Sequence, residues 1–187
     1  MTLRPIHLTV ESHPIGRAYT WSYPVSDGQI YVIPTYALTV VGRGQFNQEV
    51  RRVFEVLRFG VHRTIANPQP RVVGISQHHR YVIQRWIPTY KVHSFPSRED
   101  GAWQVHGNYL IHDGPDDPQT QLYATAGCIE ICGGPSGFVA FNQFVVALAG
   151  STKASFDLQL KEVGQSQCMS IIYLPARLPP VLLRSTP

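Results

Sequence analysis

The segment IYVIPTYALTVV, residues 30–41, is dense in the β-branched and aromatic residues that favour extended strands. Two segments of the same character precede it, HLTV (7–10) and AYTWSY (18–23). The turn-forming residues Ser26-Asp27-Gly28 separate the second of these from residues 30–41. We therefore predict that residues 3–41 form strands.

Strand patterns return in the middle and at the end of the chain. The segments are RVVGI (71–75), RYVIQRW (80–86), TYKVHSF (89–95), WQVHGNYLIH (103–112), FDLQLKEV (156–163) and CMSIIYL (168–174). A turn is predicted at SREDG (97–101), and a Pro-broken tail (175–187) is expected to run over the surface.

A helical period appears in FNQEVRRVFEVLRF, residues 46–59, where apolar residues recur three or four positions apart. Arg58 falls with the other charged residues on the opposite side of this period, and Gly60 is a suitable end for the helix. We predict that this helix covers one face of a sheet.

A second helix is predicted over residues 136–149, where Ser136 can cap it and Gly150 can end it. Its sequence is nearly all apolar on one side, so it should be buried against the sheet. Together these patterns predict a mainly β fold with two covering helices.

Composition limits the classes of protein. With 187 residues, 43% of them hydrophobic and 15% charged, the chain suits one domain with a real core. The net charge of +4 is scattered without a basic cluster, so we expect no nucleic-acid partner. We expect no membrane span, because no run of about 18 apolar residues exists. Neither a secretory signal nor a disulfide framework is visible, which indicates synthesis in the cytoplasm with free thiols.

Cys128 and His112 are the candidate catalytic pair. All eight histidines precede Cys128, so a cysteine–histidine pair must run with the histidine first, unlike that of papain-type peptidases. His112 ends one predicted strand, a polar loop follows, and Cys128 opens the next short strand. Two neighbouring strand ends joined by one loop can bring an imidazole to a thiol, which attacks only as thiolate.

Three neighbours are expected to support this pair. Asp113 can hold the second imidazole nitrogen, through its backbone carbonyl or its side chain. Gly127 allows the backbone to pass close to a substrate, and amides near the sulfur can serve an oxyanion. Thr125 belongs to the same short motif.

Two alternatives remain open from the residues alone. His106 is the second-choice base, since its two-fold phase in WQVHGNYLIH matches that of His112. A zinc site could use Cys128 and Cys132 with one of these histidines, but residues four apart on a strand lie about 13 Å apart. We therefore predict no metal and no cofactor.

Ile111-His112 and Thr125-Ala126-Gly127-Cys128-Ile129 together resemble the L,D-transpeptidase (YkuD-type) catalytic domain. That family carries His-Gly, a loop, then Ser/Thr-His-Gly-Cys, a branched apolar residue and Arg or Asn. Cys128 follows His112 by 16 residues, which matches the family's spacing. The resemblance covers roughly residues 103–150 and implies a β-sandwich or distorted barrel, while residues 1–60 have no assigned role.

The chain departs from the family pattern at three positions. Asp113 stands where Gly is common, Ala126 replaces a second histidine, and Glu130 replaces Arg. A carboxylate on the face of Cys128 should raise the pKa of the thiol, although it can also contact a substrate amine. Arg80 and Arg85 are candidates for binding the substrate carboxylate.

The resemblance implies a cysteine-dependent L,D-transpeptidase or L,D-carboxypeptidase that acts on peptidoglycan stem peptides through a thioacyl-enzyme. Such an enzyme acts in the periplasm and would arrive there by specialised export or by lysis. An exported antibacterial toxin, such as a type VI secretion effector, would have an immunity protein as partner. The alternative is a non-catalytic cell-wall-binding or phage structural domain that retains the fold, which the changes at Ala126 and Glu130 favour.

Overall fold

The computed structural model describes residues 2–92 and 100–184. Strands account for 44% of the structure and helices for 15%, so the predicted mainly β fold with two helices is confirmed. Within the described ranges, no helix is long and apolar enough to cross a membrane.

Thirteen strands and two α-helices follow one another along the described chain. The strands are β1 (Ile6–Pro24), β2 (Tyr31–Arg43), β3 (Glu49–Leu57), β4 (Gly60–Arg63), β5 (Arg71–Val73), β6 (His79–Val82), β7 (Arg85–Ile87), β8 (Ala102–His106), β9 (Tyr109–Asp113), β10 (Leu122–Ala124), β11 (Ile129–Ile131), β12 (Met169–Tyr173) and β13 (Leu182–Leu183). The helices are α1 (Phe138–Ala149) and α2 (Phe156–Ser166), and a short 3₁₀ helix (Gly134–Ser136) precedes α1.

The strands form one mixed sheet with the order β5-β4-β1-β2-β3-β11-β9-β8-β7. The long strand β1 organises it, because it pairs with β2 along its length, with β12 near its start, and with β10 and β4 near its end. The predicted strands of residues 3–41 are confirmed as β1 and β2. Leu8, Val10, Leu38 and Val40 are fully buried in the core that these two strands share with α1.

The predicted helix over residues 46–59 is wrong, because Glu49–Leu57 is strand β3, antiparallel to β2. Two members of the supposed apolar helix face, Phe46 and Val53, are 85% and 50% exposed. The buried residues of β3 lie toward its end, where Phe54 pairs with Leu38 and packs edge-on against Phe141 of α1. Gly60 accordingly begins β4 instead of ending a helix.

Arg58 was expected on a solvent-facing side and is instead fully buried. Its guanidinium donates hydrogen bonds to the backbone carbonyls of Glu11, Ile75 and Leu174. The side chain therefore fastens the end of β3 to three separate segments of the chain.

The predicted helix over residues 136–149 is confirmed as α1, with its start two residues later. Ser136 lies in the 3₁₀ helix and does not cap α1, whose N-cap is Gly137 without a side-chain hydrogen bond. Gly150 ends α1 in the left-handed conformation, as predicted.

The predicted strand over residues 156–163 is wrong, because this segment belongs to α2. The Ser155 hydroxyl accepts a hydrogen bond from the amide of Leu158 and caps the helix. Leu160 and Val163, three positions apart, are buried, whereas Phe156 and Leu158 are 40% and 48% exposed. The second covering helix is therefore α2.

The other predicted strands are present with altered bounds. The segment 80–86 divides into β6 and β7, and the segment 103–112 divides into the hairpin of β8 and β9. In the tail, β13 pairs with β2. The predicted strand at 89–95 is wrong over its described part, because residues 89–92 are turn and irregular chain after β7, and its remainder lies outside the described residues, as does most of the turn predicted at 97–101.

Candidate active site around Cys128

Cys128 and His112 belong to two strands that lie side by side. The strands β9 and β11 pair in parallel, and in their register His112 lies opposite Glu130. Cys128 immediately precedes β11, and the loop between the two strands includes β10, which pairs with β1 instead. The strand–loop–strand unit therefore presents Cys128, Glu130 and His112 to a common space.

This space, the first cavity, has a volume of about 500 Å³. Cys128, His112 and Glu130 all contribute to its wall. The residues that complete the lining are Tyr23, Arg85, Ile87, Tyr90, Val92, Gln104, Gly107, Asn108, Leu110, Ala124 and Ala126.

The imidazole of His112 is buried and held in one orientation. Its Nδ1 lies 2.8 Å from the backbone carbonyl oxygen of Asp113. Because a carbonyl oxygen only accepts, Nδ1 carries the hydrogen, and the neutral ring keeps its lone pair on Nε2. Nε2 lies 3.9 Å from Oε1 of Glu130, and the ring of Tyr90 packs at 5.3 Å between centroids. The tautomer is therefore the one that a base acting through Nε2 requires.

The Cys128 thiol sits between two backbone groups of the β8–β9 hairpin. Its Sγ donates to the carbonyl oxygen of Asn108 at 3.7 Å. Burial raises the pKa of Cys128 to about 12, and the nearby Glu130 carboxyl adds to the increase, whereas a hydrogen bond from the Leu110 backbone lowers it. In the structure as it stands, the thiol form is favoured.

Glu130 is a buried carboxyl group in the wall of the cavity, with only 1% of its surface exposed. Burial raises its pKa to about 8; a hydrogen bond from the Thr125 side chain lowers the pKa, and the charge of Asp113 raises it further. Among the described residues, Oε2 of Glu130 has no hydrogen-bond partner. Near neutral pH this group is mainly protonated, so it places little negative charge beside Cys128.

The loop before Cys128 is shaped by close backbone packing. Gly127 adopts a φ of 90°, and a Cβ there would lie 2.7 Å from the Cα of Gly74. The glycine is therefore required by the segment that follows β5. The amide of Gly127 donates to Oγ1 of the buried Thr125 at 3.3 Å. Because the Gly127 amide is engaged in this way, the amide of Cys128 is the better candidate for the oxyanion donor expected near the sulfur.

His106 lies in a different environment from His112. It is exposed at the end of β8, where its ring stacks on Tyr81 with centroids 4.8 Å apart. The expectation that both histidines share one side of one strand is wrong, because the chain turns at Gly107 and Asn108 between β8 and β9. The alternation of side chains along a strand cannot be extended across a turn into the next strand.

The two arginines proposed for a substrate carboxylate are also separated. Arg85 lines the first cavity, and its Nε donates to Oε1 of Gln104 at 2.8 Å. Arg80 lies on β6, which pairs with β12, and it lines neither this cavity nor the second one described below.

Several lining residues were not singled out from the sequence. Tyr90 follows β7 in a turn, and Tyr23 lies near the end of β1, so each enters the cavity from a distant segment. Neither carried a motif that would have marked it. Only the pairing of β1 with β10 and of β7 with β8 brings them to Cys128.

Within residues 2–92 and 100–184, no three side chains of His, Cys, Asp or Glu are grouped so that they could hold a metal ion. Cys132, the second thiol of the zinc alternative, is buried in a separate apolar cluster with Ala18 and Leu57. The structure therefore gives the zinc alternative no ligand set in the described part of the chain.

Comparison of the chain with protein-family models, curated proteins and solved structures finds no match in any of the three.

Proposed function

We propose that the protein is a cysteine acyltransferase or peptidase of the L,D-transpeptidase type, acting on the stem peptide of peptidoglycan. The observation that best supports this proposal is the orientation of His112. Its Nδ1 donates to the Asp113 carbonyl, which fixes the tautomer that a base acting through Nε2 requires, and the ring lines the same cavity as Cys128. The resemblance of residues 103–150 to the L,D-transpeptidase motif supplies the substrate class.

In the proposed reaction the Cys128 sulfur attacks the carbonyl carbon that precedes a terminal D-residue. Nε2 of His112 accepts the thiol proton as the sulfur–carbon bond forms, and it then donates that proton to the departing amine. The carbon–nitrogen bond breaks, the D-amino acid leaves, and a thioester remains on Cys128. A second amine gives a transpeptidation product, or water gives the free acid, and either one restores the thiol.

The raised pKa of Cys128 determines when the proton moves. A resting thiolate is disfavoured at neutral pH, so the proton transfer to His112 must accompany attack on the substrate. The protonated state of Glu130 supports this step, because a buried carboxylate beside the developing thiolate would oppose it.

The test is the release of D-alanine from purified stem tetrapeptide, followed by mass spectrometry. We expect release by the wild-type protein, and loss of release in Cys128→Ala and in His112→Gln. Cys168→Ala is the matched control, because Cys168 is a free thiol that lines neither cavity at Cys128. Equal behaviour of the wild type and Cys128→Ala would exclude the enzyme.

The second candidate function is a non-catalytic domain that binds cell wall or belongs to a phage particle. The observation that favours it is the thiol itself, whose proton is retained by burial and by the Asn108 carbonyl. This alternative expects sedimentation with purified sacculi that is equal in the wild type and Cys128→Ala, without any release of D-alanine.

The antibacterial role is a further part of the proposal and rests on the resemblance. Expression of the chain with an added periplasmic signal should slow the growth of a Gram-negative host, and Cys128→Ala should abolish the effect. Rescue by a protein encoded beside it would identify the immunity partner. Undiminished toxicity of Cys128→Ala would refute a toxin that acts through this thiol.

A further inference from the structure

Cys128 lies on the border between two cavities. The second cavity, about 510 Å³, shares Gly107, Asn108, Ala126 and Cys128 with the first. Its remaining lining consists of His62, Arg71, Val73, His106 and Tyr109. A molecule that spans the border would present its middle to the sulfur and an end to each side.

The two cavities differ in charge. The second cavity is lined by Arg71 with the histidines His62 and His106, and none of the described residues that line it is Asp or Glu. The first cavity contains the carboxyl of Glu130, and its arginine, Arg85, already donates to Gln104. Of the two, the second cavity is the one suited to an anionic group.

Two hydrogen-bond donors of the second cavity, His62 and Arg71, lie close together. His62 on β4 is directly opposite Arg71 on β5 in their antiparallel pairing, and such partners have Cβ atoms roughly 4.5–5.5 Å apart. Among the described residues, Nδ1 of His62 is buried without a hydrogen-bond partner, and the Arg71 side chain is exposed and lines the same cavity. A bound anion could accept hydrogen bonds from both side chains.

The β4–β5 pair packs closely against residues 125–127, the loop that precedes Cys128. A Cβ on Gly60 would lie 1.9 Å from the carbonyl oxygen of Thr125, and a Cβ on Gly127 would meet the backbone of Gly74. Because these backbones touch, the positions of His62 and Arg71 relative to Cys128 are set by the fold and not by a loose surface loop.

We propose that the second cavity is a carboxylate-binding site, in which Arg71 and His62 hold the C-terminal carboxylate of the peptide cleaved at Cys128. This assignment rests on the proposed function for the step at Cys128, but the binding of the carboxylate is a separate property of the cavity. It orients the substrate, with the departing D-residue in the second cavity and the acyl portion in the first. Arg71 thereby takes the place that the sequence left to Arg80 or Arg85.

The experiment measures binding directly in the full chain, with Cys128→Ala used so that the peptide is not consumed. The probe is N-acetyl-L-lysyl-D-alanine, and its C-terminal amide is the matched neutral ligand. Titration calorimetry should show that the acid binds at least about tenfold more tightly than the amide, because a charge-assisted hydrogen bond is lost in the amide. Adding Arg71→Ala should weaken binding of the acid by a similar factor and leave the affinity for the amide unchanged.

Arg17→Ala is the control for a general loss of positive charge, because Arg17 is an exposed arginine on β1 that lines neither cavity. It should leave both titrations unchanged. Arg71 is exposed on a short strand, and circular dichroism of the variant should match that of the parent.

The outcomes separate this site from the proposed function. Arg71-dependent binding of the acid supports the site even if no D-alanine is released. Equal binding of acid and amide, absence of binding, or an equal effect of Arg17→Ala would overturn the site. In the active protein, Arg71→Ala should raise KM for the tetrapeptide while kcat changes little, and an unchanged KM would also count against the site.

Discussion

Replacement of Glu130 by glutamine removes the one buried carboxyl whose pKa is raised to about 8 while keeping the shape of the side chain. In the unfolded chain this group titrates near its ordinary value of 4.5, so between these two values the folded state binds more protons than the unfolded state. The free energy of unfolding of the wild type should therefore fall as pH rises from about 4.5 to about 8. Above that range the loss is complete.

The size of this effect follows from the shift in pKa. At about 1.4 kcal/mol for each pKa unit, the increase from 4.5 to about 8 corresponds to a ceiling of about 5 kcal/mol. Glu130→Gln cannot ionise, so it should match the wild type near pH 4 and exceed it by up to that amount near pH 9. Other titrating groups are common to both proteins and cancel in the difference.

The assay is urea unfolding of both proteins at intervals between pH 4 and pH 9, followed by tryptophan fluorescence. Glu49→Gln is the control for exchange of a glutamate, because Glu49 is exposed at the start of β3, and its effect on the unfolding free energy should be small. In parallel, Glu130→Gln should lower the pKa of Cys128, measured by the pH dependence of thiol alkylation. A stability difference between Glu130→Gln and the wild type that does not change with pH would refute the reasoning.

Three further predictions concern the packing around the site. Gly127→Ala should cost about 2 kcal/mol of unfolding free energy and reduce turnover, since its Cβ would meet Gly74, whereas Gly28→Ala, with open space at a φ of 77°, should retain activity. Arg58→Ala should cost about 3 kcal/mol in urea unfolding, because one buried and two partly buried backbone carbonyls lose their donor, and a much smaller loss would show that Arg58 does not hold these segments together. Trp103→Phe should cost about 2 kcal/mol, because the Trp103 indole donates to Oδ1 of Asn142 at 2.8 Å in the core; unchanged denaturation would argue against that bond.

The sequence predicts the sheet better than it predicts the helices. Residues 30–41 carry β-branched and aromatic residues at nearly every position, so the strand assignment does not depend on a period. The assignments of residues 46–59 and 156–163 do depend on the period of the apolar residues, and in both segments only a few apolar residues determine that period. Phe46, Val53 and Leu158 satisfy the wrong period and are exposed, so these apolar residues carried no information about burial.

The residues of the candidate site also differ in how well the sequence predicts them, because some are close along the chain and others are distant. Cys128 and His112 are joined by a single loop, so their spacing in the sequence carries information about their proximity. His62 and Arg71 come from the β4–β5 pair, which is far away along the chain. They reach Cys128 because Gly60 and Gly127 allow two backbones to touch, and a contact between distant glycines leaves no periodic signal in a sequence.

Glu130 shows why residue type alone was insufficient to judge the site. A carboxylate beside a nucleophilic thiol opposes its ionisation, and on that ground Glu130 argued against catalysis. The structure buries this carboxyl so completely that its pKa lies at about 8, and below that pH the group is predominantly neutral. If the proposed reaction takes place, neutral Glu130 would permit attack by Cys128 near neutral pH and ionised Glu130 would oppose it in alkaline solution, so activity should decline above about pH 8 in the wild type and persist in Glu130→Gln.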